Sequence, residues 1–504
     1  MPTNSPPHIA VIGSGAAAVG ALNGIVRTRP DADITLIGPE ASSVPTIHRK
    51  RLVDSVSVQD FYTEIYRSLK SEHGLRFPPI KTLFGKEYPR YIINEKKRFF
   101  RSEHFGGLTT LWGGTMLPFD EHELRDWPIS YSDLRPHYQA IADLVGISGQ
   151  PDRISTPYEY ANRPPIPLLK GLRHIEGKIN NGTTNGLFSV VAGINRIALE
   201  TREDRENHCT ACGECMGGCY RGAMYNAADA LCRMMEEHKI TWIKGEAIRF
   251  SQNKGGKVTI RQNGQLCNLM GFDRIFLAAG CPSTTAILMR SLSIKKGPIL
   301  TDNSIYQLPL LNFASEAGDD DKMHYLSLAG LLLHFIPLNP DERNAHAQIY
   351  PNFDYLWRGA VPEPLWPLLH PLIRLLRDRL LWLRLYLHGD YSQQYMVSLD
   401  NSGELTFDEY QPPDKRPIRP LLDCLRQILG ASQFRFPPIG APTSSHLAST
   451  FPYNGSLLSI PVSGMVAPGV YVCDATCFPD SPAASPTFTI MANASRTAVY
   501  GLND

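Results

Sequence analysis

The sequence predicts an α/β protein in which a parallel sheet flanked by helices is joined to a second domain of mixed or antiparallel sheet. Three observations carry this reading. Residues 8–12 form an apolar strand, Gly13-Ser14-Gly15 a tight turn, residues 16–26 a helical stretch and residues 33–37 a second apolar strand, which together make a βαβ opening. Two more buried strands arrive far downstream, 274–279 ending at Gly280 and 469–474, the latter followed by a helix over 483–499. Between them, residues 301–407 read mostly as strands.

The intervening elements follow in order. Residues 40–105 are rich in aromatic and basic side chains without a clear period, and 105–114 is dense in glycine. Pro128-Ile129-Ser130 opens a helical pattern that runs to about residue 147, and the proline-rich run 155–169 marks an extended crossing between domains. A cysteine cluster ends at Cys219, a helix is expected over 227–237, and strands alternate from 240 to 260. The expected division assigns 1–40, 100–125, 205–290 and 465–504 to a discontinuous nucleotide-binding domain, and 126–204 and 291–464 to a substrate or cap domain.

With 504 residues, 43% hydrophobic and 20% charged, the chain has material for two or three domains with a substantial core. Fifty basic against 49 acidic residues leave a net charge of +1, so no global field recommends nucleic acid as a partner. The polar run 1–7 lacks the pattern of a secretory signal and no stretch of 18 apolar residues occurs, which makes the cytoplasm the expected compartment.

The glycine turn is a dinucleotide fingerprint. Gly13 permits the sharp turn, Gly15 lets backbone amides approach a pyrophosphate, and Ala18 is small enough for helix and strand to pack closely. The phosphates then sit at the positive end of the helix dipole. The second strand ends Ile37-Gly38-Pro39, so Glu40 is the acidic residue placed for the adenosine ribose, slightly later than the pattern requires. The fingerprint does not separate NAD from FAD.

Three further segments resemble the glucose–methanol–choline (GMC) family of FAD-dependent oxidoreductases. One is Gly106-Gly107-Leu108-Thr109-Thr110-Leu111-Trp112-Gly113-Gly114, followed by Trp127-Pro128-Ile129-Ser130-Tyr131. The others are Ile275-Phe276-Leu277-Ala278-Ala279-Gly280, and the run from Val470 through Asp474 to Pro486-Thr487-Phe488-Thr489-Ile490. The resemblance implies noncovalent FAD against Gly107, Trp112, Gly113, Gly114, Ala279, Gly280, Asp474 and Thr487, a Rossmann-like FAD domain and a variable substrate domain. It also implies a catalytic histidine at His446, in the run His446-Leu447-Ala448-Ser449-Thr450, where the family's glycine is Ser449. A histidine titrating near neutrality suits removal of a hydroxyl proton while hydride leaves the adjacent carbon. The family's second active-site residue, a histidine or asparagine, is Ser485 here, which leaves hydride transfer from a C–C or C–N bond, or a non-catalytic flavoprotein scaffold, as alternatives to alcohol oxidation.

Cys209, Cys212, Cys215 and Cys219 follow the spacing of a ferredoxin-type iron–sulfur run, with zinc and a ligand-free packing loop as rivals. A cluster would let electrons leave to a quinone or redox carrier. Finally, residues 365–388 mix leucines with Arg374, Arg377 and Arg384, which reads as a helix in a membrane interface or as a helix covering the substrate domain. The former would suit a lipid-like alcohol.

Overall fold

The computed structural model describes residues 5–39, 90–94, 97–100, 102–154, 159–181, 186–213, 215, 219, 221–251, 255–312, 327–351, 361–376, 379–430, 433–435 and 446–504. The opening βαβ unit forms as read: strand His8–Ile12, helix Ala16–Thr28, strand Asp33–Gly38. It sits inside a six-stranded sheet whose order is 465–467, 470–472, 274–277, 8–12, 33–38, 240–244. The pairings are parallel except at the 465–467 edge. Val11 lies between Phe276 and Leu36 in register, so the central strand is apolar throughout because both of its faces are covered.

Helix Thr487–Asn503 packs on helix Ala16–Thr28, and glycine makes the approach close. A Cβ on Gly20 would lie 2.3 Å from the Met491 carbonyl oxygen, and one on Gly24 2.5 Å from that of Ser495. The last helix therefore closes over the first, and both begin beside the same end of the sheet.

The second sheet is also six-stranded, in the order 433–435, 305–312, 380–387, 345–351, 331–337, 188–194, and is antiparallel. Its strand Leu380–Leu387 alternates strictly. Leu381, Leu383, Leu385 and Leu387 enter a core shared with Leu172 and Ile175 of helix Lys170–Asn181 and Leu421 and Leu425 of helix Ile418–Leu429. Burying side chains of this size is worth about 1.5–3 kcal/mol each, which fixes the strand's register. The intervening Trp382, Arg384 and Tyr386 are therefore on the opposite face.

This corrects the reading of 365–388 as one interfacial helix. The segment is a helix, Trp366–Leu375, followed by a strand buried along its whole length. Over so short a run, leucines at every second position also satisfy a helical stripe, so the pattern alone could not choose. Arg384 is interior, on a strand of the sheet and not on a helical face. Arg377 and Asp378 lie outside the described residues. Helix Trp366–Leu375 does expose Leu368, Leu372 and Leu375. Among the described residues no helix is long and apolar enough to cross a membrane.

Two three-stranded antiparallel sheets also form, one of residues 246–251, 256–262 and 265–272, the other of 296–300, 394–399 and 405–411. The second sends Tyr395, Val397, Leu405 and Phe407 into the core beneath the parallel sheet.

Candidate active site

A cavity of about 670 Å³ runs between the carboxyl ends of the parallel strands and the polar face of the antiparallel sheet. Such crevices at strand carboxyl ends are where open α/β sheets bind ligands. One wall is the fingerprint turn. Gly13 has φ +124°, and a Cβ there would stand 2.1 Å from the Ala278 carbonyl oxygen, so only glycine lets strands 8–12 and 274–277 close at this point. Gly15 is the N-cap of helix Ala16–Thr28 without a side-chain cap, which leaves first-turn amides facing the cavity that Ser14 to Ala17 line.

The glycine-dense loop is laid against this turn. Gly107, at φ +59°, would bring a Cβ within 3.0 Å of the Gly15 Cα. Trp112 is held by its indole N–H, which donates to the Tyr225 carbonyl at 2.9 Å. A Cβ added to Gly113 or Gly280 would meet no protein atom within 4 Å, and both residues line the cavity. They are bare where the protein leaves room for something else, a cradle that suits a flat cofactor. Gly114, Ala279 and Thr487 line it as well.

Asp474 is buried at the cavity's edge, where its carboxylate accepts from the Gly280 amide at 2.8 Å and from the hydroxyls of Thr284 and Thr476. Burial raises its pKa, and these hydrogen bonds oppose the rise. The aspartate thereby joins the strand 470–472 to the turn before helix Cys281–Leu292. Ala18 does not line the cavity; it is fully buried in the first helix, the packing role a small residue serves there. Glu40 lies outside the described residues. Glu246, the first residue of the strand 246–251, lines the cavity and pairs with Arg261 at 3.0 Å. It went unread because its nearness to the 33–38 strand comes from sheet order, not from sequence.

His446 and Ser485 come to the same cavity although 38 positions separate them. The His446 backbone amide donates to Asp302 Oδ1 at 3.0 Å, and its carbonyl accepts from the Ser481 hydroxyl at 3.2 Å. The segment that follows is tied to the C-terminal region by Ser449 N–H to Ala475 O and Phe451 N–H to Thr476 O, both 2.9 Å. Ser449 has φ +71°, so the left-handed turn that glycine normally serves persists with a serine in it. The imidazole of His446 stacks on Tyr386 at 6.0 Å between centroids, with 13° between the rings.

Gln348 organises the wall opposite. Its amide oxygen accepts from the hydroxyls of Tyr350 at 2.6 Å and Tyr386 at 3.1 Å, and its amide nitrogen donates to Ser485 Oγ at 3.2 Å. Ser485 Oγ thus accepts from the protein and keeps its own proton to donate. Sequence reasoning missed Gln348, Tyr350, Arg384 and Tyr386. They carry no local motif and share a site only through the pairing of Gln348 with Arg384 in adjacent strands.

No protein-family model matches the sequence, and no curated protein matches it significantly. Solved structures do. Pyridoxine 4-oxidase from Mesorbium loti superposes with a TM-score of 0.61 at 14% identity over 98% of both chains. A formate oxidase crystal structure gives 0.58 at 12% identity over 99% of both chains, and the R554A variant of Aspergillus oryzae RIB40 formate oxidase, solved for its effect on FAD modification, gives 0.59 at 12%. The chain has the fold of these oxidases. The likeness runs through both sheets, so the antiparallel sheet facing the cavity is part of the shared fold.

The cysteine loop is the one predicted centre that this fold does not assemble. Cys209, Cys212, Cys215 and Cys219 converge on a small apolar hollow with Leu199 and Met224. Among the described residues, however, no group of three or more His, Cys, Asp or Glu side chains is arranged to hold a metal ion. Cys209, Cys215 and Cys219 instead pack against a core containing Leu117, Leu199 and Trp382. Burial pushes the Cys209 thiol up to about 11 and raises Cys215 as well. Among the described residues the run thus shows packed cysteines and no assembled iron–sulfur or zinc ligand set.

Proposed function

We propose that the protein is an FAD-dependent oxidoreductase of the GMC type, which takes hydride from a CH–OH carbon. The observation that carries this is one cavity lined at one end by the fingerprint turn and the bare Gly113 and Gly280, and at the other by His446 and Ser485. FAD fits the donor set: first-turn amides for a pyrophosphate, Glu246 for a ribose, and glycines where a ring system would clash with side chains. Bound FAD supplies the acceptor that takes the carbinol hydrogen with its electron pair.

The protein's part is to hold and move the proton. The imidazole of His446 takes the hydroxyl proton as the carbon–oxygen double bond forms. The Ser485 hydroxyl, fixed by the Gln348 amide, donates to the substrate oxygen and orients it. The Tyr386 ring holds the imidazole plane. A quinone or redox carrier as electron acceptor, and membrane contact through the exposed leucines of helix Trp366–Leu375, remain proposals of the same reading.

The test is His446→Ala. It should leave FAD content unchanged and slow anaerobic flavin reduction by an alcohol by about 100-fold or more, the scale of a lost general base. An unchanged reduction rate would remove His446 from the chemistry.

A further inference from the structure

The polar face of the antiparallel sheet carries a row of proton-bearing rings that leads away from His446. Strands 331–337, 345–351 and 380–387 are adjacent, and their register sets His334 opposite His346 and His346 opposite Tyr386. Residues opposite each other in paired strands share a face, with Cβ atoms about 5 Å apart. The ring contacts follow that register. Centroids lie 6.2 Å apart for His334 and His346 and 6.1 Å apart for His346 and Tyr386, and Tyr386 stacks on His446 at 6.0 Å. At the far end His334 Nδ1 lies 3.8 Å from Asp120 Oδ2, on a side chain that is 31% exposed. The row thus runs from the cavity, through buried rings, to solvent.

Its middle member is not built as a packing residue. His346 is 1% exposed, yet its Nε2 has no hydrogen-bond partner among the described residues. A buried polar atom left unpaired costs about 1–3 kcal/mol, which an apolar ring at this position would avoid. His334 is oriented. The Asn344 amide nitrogen, a donor only, lies 3.0 Å from its Nε2 and so places the neutral ring's proton on Nδ1, toward Asp120. Burial holds the His346 pKa low, and charge on His334 or His446 lowers it further, so the three imidazoles sense one another. A neutral imidazole can relay a proton without storing it, taking one at its vacant nitrogen and giving one from the other.

We propose that His346 and His334 carry the proton from His446 to Asp120 and the solvent, so that it leaves through the sheet before the product leaves through the cavity. This rests on the alcohol-oxidation reading, in which every turnover leaves a proton on His446 while the carbonyl product covers the cavity side of the imidazole. The balance is simple. The carbinol carbon loses a hydride to FAD, its hydroxyl loses a proton to His446, and one proton per flavin reduced enters the medium. His346 and His334 act through His446 and do not touch the substrate.

The experiment mixes FAD-loaded protein anaerobically with excess primary alcohol, from methanol to benzyl alcohol, in unbuffered solution containing a pH-indicator dye. Stopped-flow absorbance follows flavin and dye together. In the wild type the dye should report one proton per flavin, at the rate of flavin reduction. In His346→Gln and His334→Gln, flavin reduction should stay within about 3-fold of wild type while proton release lags behind it by at least about 10-fold, down to the rate of product release. Asp120→Asn, at the exposed end of the row, should show the same lag with the buried rings left in place, and it serves if the interior substitutions fail to fold. Variants that slow both signals together would mark these histidines as structural and count against the route. Proton release that keeps pace with flavin reduction in the variants overturns the proposal, as does wild-type release that waits for product. If no alcohol reduces the wild-type flavin, the alcohol-oxidation reading falls, and the route falls with it.

Discussion

Gly13 and Gly113 are both glycines of the cavity wall, and they are glycine for opposite reasons. At Gly13 a Cβ would collide with the Ala278 backbone at 2.1 Å, so the residue is needed by the fold. At Gly113 a Cβ would point into open cavity, so the residue is needed by whatever fills it. The two can be separated by substitution. Gly113→Leu should leave the melting temperature of the FAD-free protein unchanged within about 2 °C, because it disturbs no packed atom and surface-like changes cost under about 0.5 kcal/mol. It should lose FAD by at least about 10-fold in affinity, measured by flavin fluorescence on titration. Gly13→Ala should instead destabilise the FAD-free protein itself. Full FAD occupancy in Gly113→Leu would show that the cradle lies elsewhere.

At the scale of elements, the strand Leu380–Leu387 and the helix Trp366–Leu375 share a leucine-rich composition and have different fates. Leu383 is 2% exposed in the core shared with helices 170–181 and 418–429, while Leu368 is 74% exposed. Leu383→Ala should therefore cost about 2–5 kcal/mol in denaturant unfolding, and Leu368→Ala less than about 0.5 kcal/mol. Similar costs at the two positions would restore the single-helix reading of the segment. Composition made that segment visible in the sequence. What it could not supply was the partner that selects a period of two, since strands 305–312 and 345–351 are remote in the chain. The βαβ opening was legible for the converse reason. There the turn, helix start and both strands lie within 31 residues of one another, and each local preference agrees with the sheet that forms.

The same division holds for the whole molecule. The fingerprint, the glycine loop, His446 and Ser485 carry local motifs and could be read; Gln348, Arg384 and Tyr386 face the cavity through long-range pairing and could not. That pairing also buries groups that must stay neutral, and this gives the fold a pH signature. His346 lies beside them, 1% exposed, and burial first, then the charges of His334 and His446, hold its pKa down at about 3. His334, on the neighbouring strand, is lowered by burial too, against the pull of Asp120. An unfolded histidine protonates near 6.5. Above that pH His346 is neutral in both states and makes no difference to folding. As pH falls from about 6.5 toward about 3, the unfolded chain binds the proton and the native one does not, so stability is progressively lost. Buried Glu123, with a pKa raised by burial, acts in the opposite direction, so the wild-type profile alone is ambiguous. The comparison that isolates the imidazole is wild type against His346→Gln, since Glu123 titrates in both. Between pH 7.5 and pH 5 the wild type should lose more unfolding free energy than the variant, measured by urea denaturation at each pH. Parallel losses in the two proteins would mean that His346 can be protonated in the native state, and that the polar face of the antiparallel sheet admits water.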